Sequence, residues 1–320
     1  MGTRRNPLAV TLPPRRPLRA AGGQGDRSDP GDPGRRPSVV VVVGASSGIG
    51  RATALALAGR GDTVVLSARG RDGLERVAAE CAGLPGRTLV LPADARSAED
   101  MRRLAESAVA SLGRIDGWVQ SAGVIAYGRV EDVPSEVFRA VLETNVLGVV
   151  HAAQAALPVM RAQRSGVLVV LGSLLDKATA PLMGSYVSSK WAVRGLTRVL
   201  RQETRDAPGV SVCSVAPAGV DTPIYRSAGT YAGRLGSPPP PADAPETVAA
   251  AVLACLDRPR RQVVVGPASR LVQAGFVVLP PVYDALVGPL LRVLGLAPGR
   301  VGPTTGNVLS PDGAAGPGRT

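Results

Sequence analysis

The sequence is short of aromatic residues, with two Phe, two Trp and five Tyr among 320 residues. A core of that composition must be built from Ala, Val and Leu, which suits thin, closely packed α/β layers. Few aromatics also argue against a surface that stacks on nucleobases. Lysine is scarcer: only Lys177 and Lys190 stand among 37 basic residues, and His151 is the single histidine. A lone imidazole on a predicted helix reads as a surface or packing residue rather than a base. The three cysteines, Cys81, Cys213 and Cys255, lie far apart in apolar or helical contexts. Neither a zinc site nor a disulfide framework follows from that spacing, so reduced thiols in a cytoplasmic protein are expected. A spanning helix needs about 20 uninterrupted apolar residues. The most apolar stretch, 271–296, is broken by Pro280, Pro281, Asp284, Pro289 and Arg292.

What is abundant is arginine, and the formal net charge is +12. Residues 1–37 hold eight Arg and three Asp, so +5 of that charge sits there and +7 is scattered over the rest. No basic block falls within the folded part, which excludes nucleic acid as a partner. The 1–37 segment is rich in Pro, Gly and Arg, lacks apolar periodicity, and is expected to be a disordered extension. Its Arg pairs lack the following apolar stretch of an export signal. Residues 297–320 read as a second disordered Gly/Pro-rich tail.

Between the two ends, strands alternate with helices. Ser38–Val43 is a continuous apolar run, the pattern of a strand buried on both faces. Strands are also predicted at Thr63–Ser67, Thr88–Pro92, Gly117–Gln120, Gly166–Leu171, Val210–Ala216 and Gln262–Val265. Helices are predicted at Gly48–Ala58, Arg71–Cys81, Ala98–Leu112, 135–161, Gly184–Arg205 and Thr247–Leu256. This order implies one α/β domain, 38–296, a Rossmann-type doubly wound parallel sheet with helices on both faces. The apolar segment 271–296 is read as a helix closing a substrate cleft or making a subunit contact, with peripheral membrane contact as the sharper alternative.

Two groups of residues carry chemistry. Gly44-Ala45-Ser46-Ser47-Gly48-Ile49-Gly50 follows the first strand and opens the first helix. Glycines there let the backbone turn sharply and approach a pyrophosphate, and the helix start offers free N–H groups. Tyr186 and Lys190 lie four residues apart and so share one face of a helix. A free phenol has a pKa of about 10, too high for a proton carrier at neutral pH. A neighbouring ammonium favours the phenolate and is expected to lower it. The formal match of Gly44–Gly48 to G-x-S-x-G would need His151 as base from inside a helix, and it leaves Tyr186 and Lys190 unexplained.

With Gly-x3-Gly-x-Gly at 44–50 and Tyr186-x3-Lys190 in order, residues 38–266 resemble the short-chain dehydrogenase/reductase family, classical type. The resemblance implies an oxidoreductase that interconverts a carbonyl and a secondary alcohol on a small molecule, and the acid-free segment Ile224–Leu235, with Tyr225 and Tyr231, favours a neutral or apolar one. A non-catalytic cofactor-binding or scaffold protein of the same fold is the alternative. It implies Asn145, Ser173, Tyr186 and Lys190 as the catalytic set. Ser173 would donate to the substrate oxygen, and Asn145 would hold a water beside the lysine. It also implies cofactor contacts from Gly44, Ser46, Ser47, Gly48, Ile49, Gly50, Arg69, Asp94, Ala122, Gly123, Tyr186, Lys190, Pro217, Val220 and Thr222. Asp94 would read the adenine. No acid ends the second strand to hold a ribose hydroxyl, whereas Arg69 matches an arginine that holds a 2′-phosphate. NADP(H) is therefore expected ahead of NAD(H), with no metal. The family further implies a homodimer or homotetramer. Departures are Val43 for the usual Thr, Gln120-Ser121 for Asn-Asn, and Ala218 for Gly.

Overall fold

The central strand begins where two carboxylates receive it. In the computed structural model, which describes residues 36–266 and 268–311, Asp62 Oδ1 accepts from the Ser38 N–H at 3.0 Å. Asp116 Oδ2 accepts from the Val39 N–H at 2.9 Å. Strand β1 (Val39–Val43) then runs with every residue buried. Consecutive valines, stiff at χ1, favour this extended form. Alternate residues feed opposite cores, Val41 and Val43 on one side, Val40 and Val42 on the other.

The chain continues through α1 (Gly48–Gly59), β2 (Thr63–Ser67), α2 (Arg71–Cys81), β3 (Arg87–Val90), α3 (Ala98–Leu112) and β4 (Gly117–Gln120). A two-residue β5 (Ala126–Tyr127) precedes α4 (Ser135–Leu142), a π turn (Glu143–Leu147) and α5 (Gly148–Gln163). Next come β6 (Gly166–Leu171), a 3₁₀ turn (Leu174–Asp176), α6 (Gly184–Glu203) and β7 (Val210–Pro217). Last are β8 (Gly229–Thr230), α7 (Pro245–Asp257), β9 (Gln262–Val265), α8 (Ala268–Val278) and α9 (Pro280–Leu294). Seven strands form one parallel sheet in the order β3-β2-β1-β4-β6-β7-β9, and β5 pairs with β8 apart from it. Helices α3, α5 and α6 cover one face, and α1, α2 and α7 the other. This is the doubly wound α/β fold expected from the alternation. Strand order reverses between β1 and β4, the place where such sheets open a crevice beyond their strand ends. Cys81, Cys213 and Cys255 are free and buried.

Three features differ from the sequence reading. The long helix expected at 135–161 carries a π turn at its middle. The apolar segment 271–296 is two helices rather than one, parted at Leu279-Pro280. Proline cannot continue a helix but suits the first position of a new one, which sets the break. The third correction concerns the tail. Residues 297–311 are not a disordered tail but a strap laid back over the domain. Thr230 and Thr304 exchange N–H···O bonds at 2.8 and 3.0 Å, and the Asn307 N–H donates to the Ser227 carbonyl at 2.8 Å. Val308 is fully buried beside Val124, Val137 and Val141. At Gly306, φ is +50° and a Cβ would meet the Ser227 oxygen at 2.3 Å. The Pro/Gly composition rightly lacks a helix or strand period, but backbone bonds and one buried valine fix the segment without either. The expected disorder of residues 1–35 and 312–320 lies outside the described residues.

Candidate active site

The glycine loop is shaped by close approaches. Gly44 has φ +88°, and a Cβ there would lie 2.6 Å from the Ala122 nitrogen. At Gly50 a Cβ would lie 2.0 Å from the Gly44 oxygen. Only glycine at both positions lets α1 start directly against β1 and beside the β4 loop. Gly44, Ser46, Ser47, Gly48 and Ile49 line a cleft of about 970 Å³, while Gly50 lies beneath the loop. The first turn of α1 holds no acid, so its free amides and dipole favour an anion. Ala122 and Gly123 after β4 line the same cleft, as do Pro217 at the end of β7 and Val220 and Thr222 beyond it.

At one end of the cleft stand Arg69, Arg76 and Asp94. Asp94 is held by Arg96, whose Nη2 lies 2.7 Å from Oδ2 and whose backbone N–H donates to Oδ1 at 2.9 Å. Burial opposes ionisation of Asp94, but the Arg96 bonds more than offset it and hold the carboxyl below its ordinary value. Arg69 donates to the Asn307 carbonyl at 2.6 Å and the Val308 carbonyl at 3.4 Å. Arg96 reaches the Leu309 carbonyl at 3.5 Å. The strap thus borders the end where the sequence expects a ribose phosphate.

At the other end, α6 brings Tyr186 and Lys190 to the cleft wall, and the loop after β6 brings Ser173. Lys190 Nζ lies 5.5 Å from the Tyr186 ring centre and donates to the Leu171 carbonyl at 2.9 Å. Ser173 Oγ accepts from the Leu175 N–H at 3.1 Å, and its hydroxyl stands beside the Tyr186 phenol and favours its ionised form. Asn145 sits one layer behind, in the π turn. Its Oδ1 accepts from the Val124 N–H at 2.9 Å, and its Nδ2 donates to the Val124 carbonyl at 3.0 Å and to Ser189 Oγ at 2.9 Å. Both amide hydrogens are therefore spent. Its side chain ties the β4 loop to α6 and so fixes the helix that carries the tyrosine and lysine.

A family model described as short chain dehydrogenase matches residues 38–231. The chain belongs to the short-chain dehydrogenase/reductase family. An uncharacterized oxidoreductase of Bacillus subtilis (strain 168), YxnA, is 31% identical over 261 residues, 79% of this chain and 72% of that one. Among solved structures, an alcohol dehydrogenase from the archaeon Thermococcus sibiricus, complexed with 5-hydroxy-NADP, is similar at a TM-score of 0.63 and 29% identity. That match covers 72% of this chain and 96% of the other. A short-chain dehydrogenase/reductase from Burkholderia phymatum, in complex with NAD, gives 0.66 and 26%, covering 75% and 94%.

Within this short-chain dehydrogenase/reductase, the electrostatics of the pair run partly against the spacing argument. Burial raises the Tyr186 phenol above its ordinary value, and the Ser173 hydroxyl only partly reverses that. The expected net lowering is absent because a phenolate in this apolar wall loses its hydration. Burial likewise lowers Lys190, to about 8, against the pull of Asp176. Asp176 itself, 1% exposed, is pushed up to about 6 by burial, and its Oδ1 has no partner. Sequence reasoning missed Asp176, Arg76 and Ser189, since nothing in a motif reports which polar side chains the fold brings together. His151 bonds the Ala95 carbonyl at 2.9 Å from α5 and does not line the cleft, so it cannot serve Ser46 as a base. Gln120, replacing the usual Asn, is buried and accepts weakly from the Trp118 ring N–H at 3.5 Å.

Proposed function

We propose that this oxidoreductase interconverts a carbonyl compound and its secondary alcohol with NADP(H), ahead of NAD(H), on a small uncharged or apolar substrate. The convergence of Ser173, Tyr186 and Lys190 on one stretch of cleft wall carries the reading. The cleft runs from that point past the glycine loop to Arg69, room and polarity that fit a dinucleotide laid along it. Bound there, a nicotinamide dinucleotide supplies or accepts the hydride. The remaining tasks fall to the chain. Ser173, fixed by the Leu175 N–H, turns its one hydrogen from the Tyr186 oxygen to the substrate oxygen as charge develops there. Tyr186 gives its phenolic proton to that oxygen in reduction and takes it back in oxidation. Lys190 places an ammonium beside the ring to stabilise the phenolate left behind. Asn145 positions α6 through Ser189.

Preference for the 2′-phosphate is supported by charge. Arg69 and Arg76 flank that end, and Asp94, the one acid among its described lining residues, is paired with Arg96. A phosphate gains charge-assisted bonds in such a place, while no carboxylate waits for a free ribose hydroxyl. We place the contact of a homodimer or homotetramer on α4–α5 and α6, where Leu147 and Val199 stay more than 40% exposed. Titration of NADPH and NADH by nucleotide fluorescence, followed by a panel of ketones, aldehydes and secondary alcohols, tests the proposal. Tighter NADPH binding and turnover of neutral carbonyls are expected. Tighter NADH binding contradicts the phosphate assignment, and binding without turnover favours a non-catalytic scaffold.

A further inference from the structure

Among the described residues, Lys190 is the one ionic side chain lining the substrate half of the cleft. Of the charged residues among its described lining, Arg69, Arg76 and Asp94 stand at the opposite end and Lys190 is the catalytic lysine. The outer wall is helix α9, which lies beyond the 38–231 stretch matched by the family model. Three of the chain's few aromatics seat the helical hairpin. Phe276 meets Tyr283 and Trp191 edge-on, with centroids 5.2 and 6.3 Å apart, and Tyr283 Oη donates to the Thr179 carbonyl at 2.6 Å.

Seated this way, α9 turns Val282, Leu286, Leu290 and Leu294 to the cleft. They recur every four residues, so they form one stripe about 18 Å long. Yet they remain 51%, 53%, 51% and 39% exposed. Leu291, on the neighbouring ridge, belongs to the same apolar cluster as Tyr186. The stripe therefore continues outward from the point of chemistry. Asp284 and Arg292 share the helix, but neither lines the cleft.

Resting on the reading above, we infer that the substrate is an extended, uncharged aliphatic carbonyl compound whose tail lies along the α9 stripe from Tyr186 outward. Such a tail covers the half-exposed leucines, and each methylene taken from water adds about 0.8 kcal/mol when fully buried. A charged tail end would be dehydrated against the stripe with no partner.

The test is a series of methyl ketones from hexan-2-one to tetradecan-2-one, each with its ω-carboxylated counterpart. Turnover with NADPH and calorimetric binding to the NADP⁺-loaded protein are measured side by side. The expected result is a kcat/KM, and an affinity, that climb about two- to fourfold per methylene, with each carboxylate at least tenfold worse than its neutral partner. Leu286→Lys should flatten the climb and favour the carboxylates. Val293→Lys, on a residue 74% exposed and outside the cleft lining, should leave the chain-length profile as it is. Length-independent turnover, or a preference for the carboxylates in the parent protein, overturns the inference while sparing carbonyl reduction. Length-dependent binding with no turnover spares the inference and overturns the reaction. Failure to bind any member overturns the inference. A flat profile in which Leu286→Lys instead splits an oligomer assigns the stripe to a second copy of the chain.

Discussion

Lys190 holds its ammonium 5.5 Å from the centre of the Tyr186 ring while bonding the Leu171 carbonyl. The two groups act through space, and their protonation states follow from burial. Burial keeps the phenol protonated well above neutral pH and brings the ammonium down to about 8. At neutral pH the site thus offers a neutral proton donor beside a cation that receives the resulting phenolate, the combination that carbonyl reduction requires.

The rate of reduction should therefore fall as pH rises through about 8, because Lys190 loses its charge there while Tyr186 keeps its proton. A kcat/KM profile against pH reports this limb for the free enzyme. Asp176 supports the lysine's proton, so Asp176→Asn should move the limb to lower pH. A limb at the same pH in both proteins contradicts this coupling.

Asp176 also predicts a stability effect. Its folded pKa, near 6, exceeds the ordinary 3.8, so the folded state binds the proton more tightly. That contribution is complete below about 4 and lost as pH rises through about 6. At neutral pH the ionised, half-partnered carboxylate burdens the fold. Asp176→Asn should be more stable than the parent at pH 8, by on the order of 1–3 kcal/mol in urea unfolding, with the gap shrinking toward pH 4. A gap that does not vary with pH rules out ionisation as its source.

Arg69 joins the cofactor end to the strap. Arg69→Ala should weaken NADPH binding by about ten- to hundredfold, the scale of one or two hydrogen bonds to a charged group. NADH binding should change by less than about threefold. Equal losses for both nucleotides would mean that Arg69 serves the strap and not a 2′-phosphate.

The glycine loop, the alternation of strands and helices and the face shared by Tyr186 and Lys190 were legible because each rests on a local pattern. Val39–Val43 announces its burial by composition alone, and the α2 and α3 bounds fall where the helical period places them. The strap was not legible, since its order comes from Val308, buried against Val124, Val137 and Val141, and from carbonyls that meet Arg69 across more than 200 residues. The direction of the Tyr186 shift was missed for a related reason. Spacing along a helix tells which groups are near, but burial depends on what the rest of the chain packs around them.

The central claim is that Tyr186 moves the proton. It is tested most directly by Tyr186→Phe, comparing carbonyl-dependent NADPH oxidation with NADPH binding in the same preparation. The account predicts turnover down by about 10²–10⁴, the usual contribution of a general acid, with the nucleotide still bound and weakened by no more than about tenfold. Turnover at the parental rate with intact binding would contradict it.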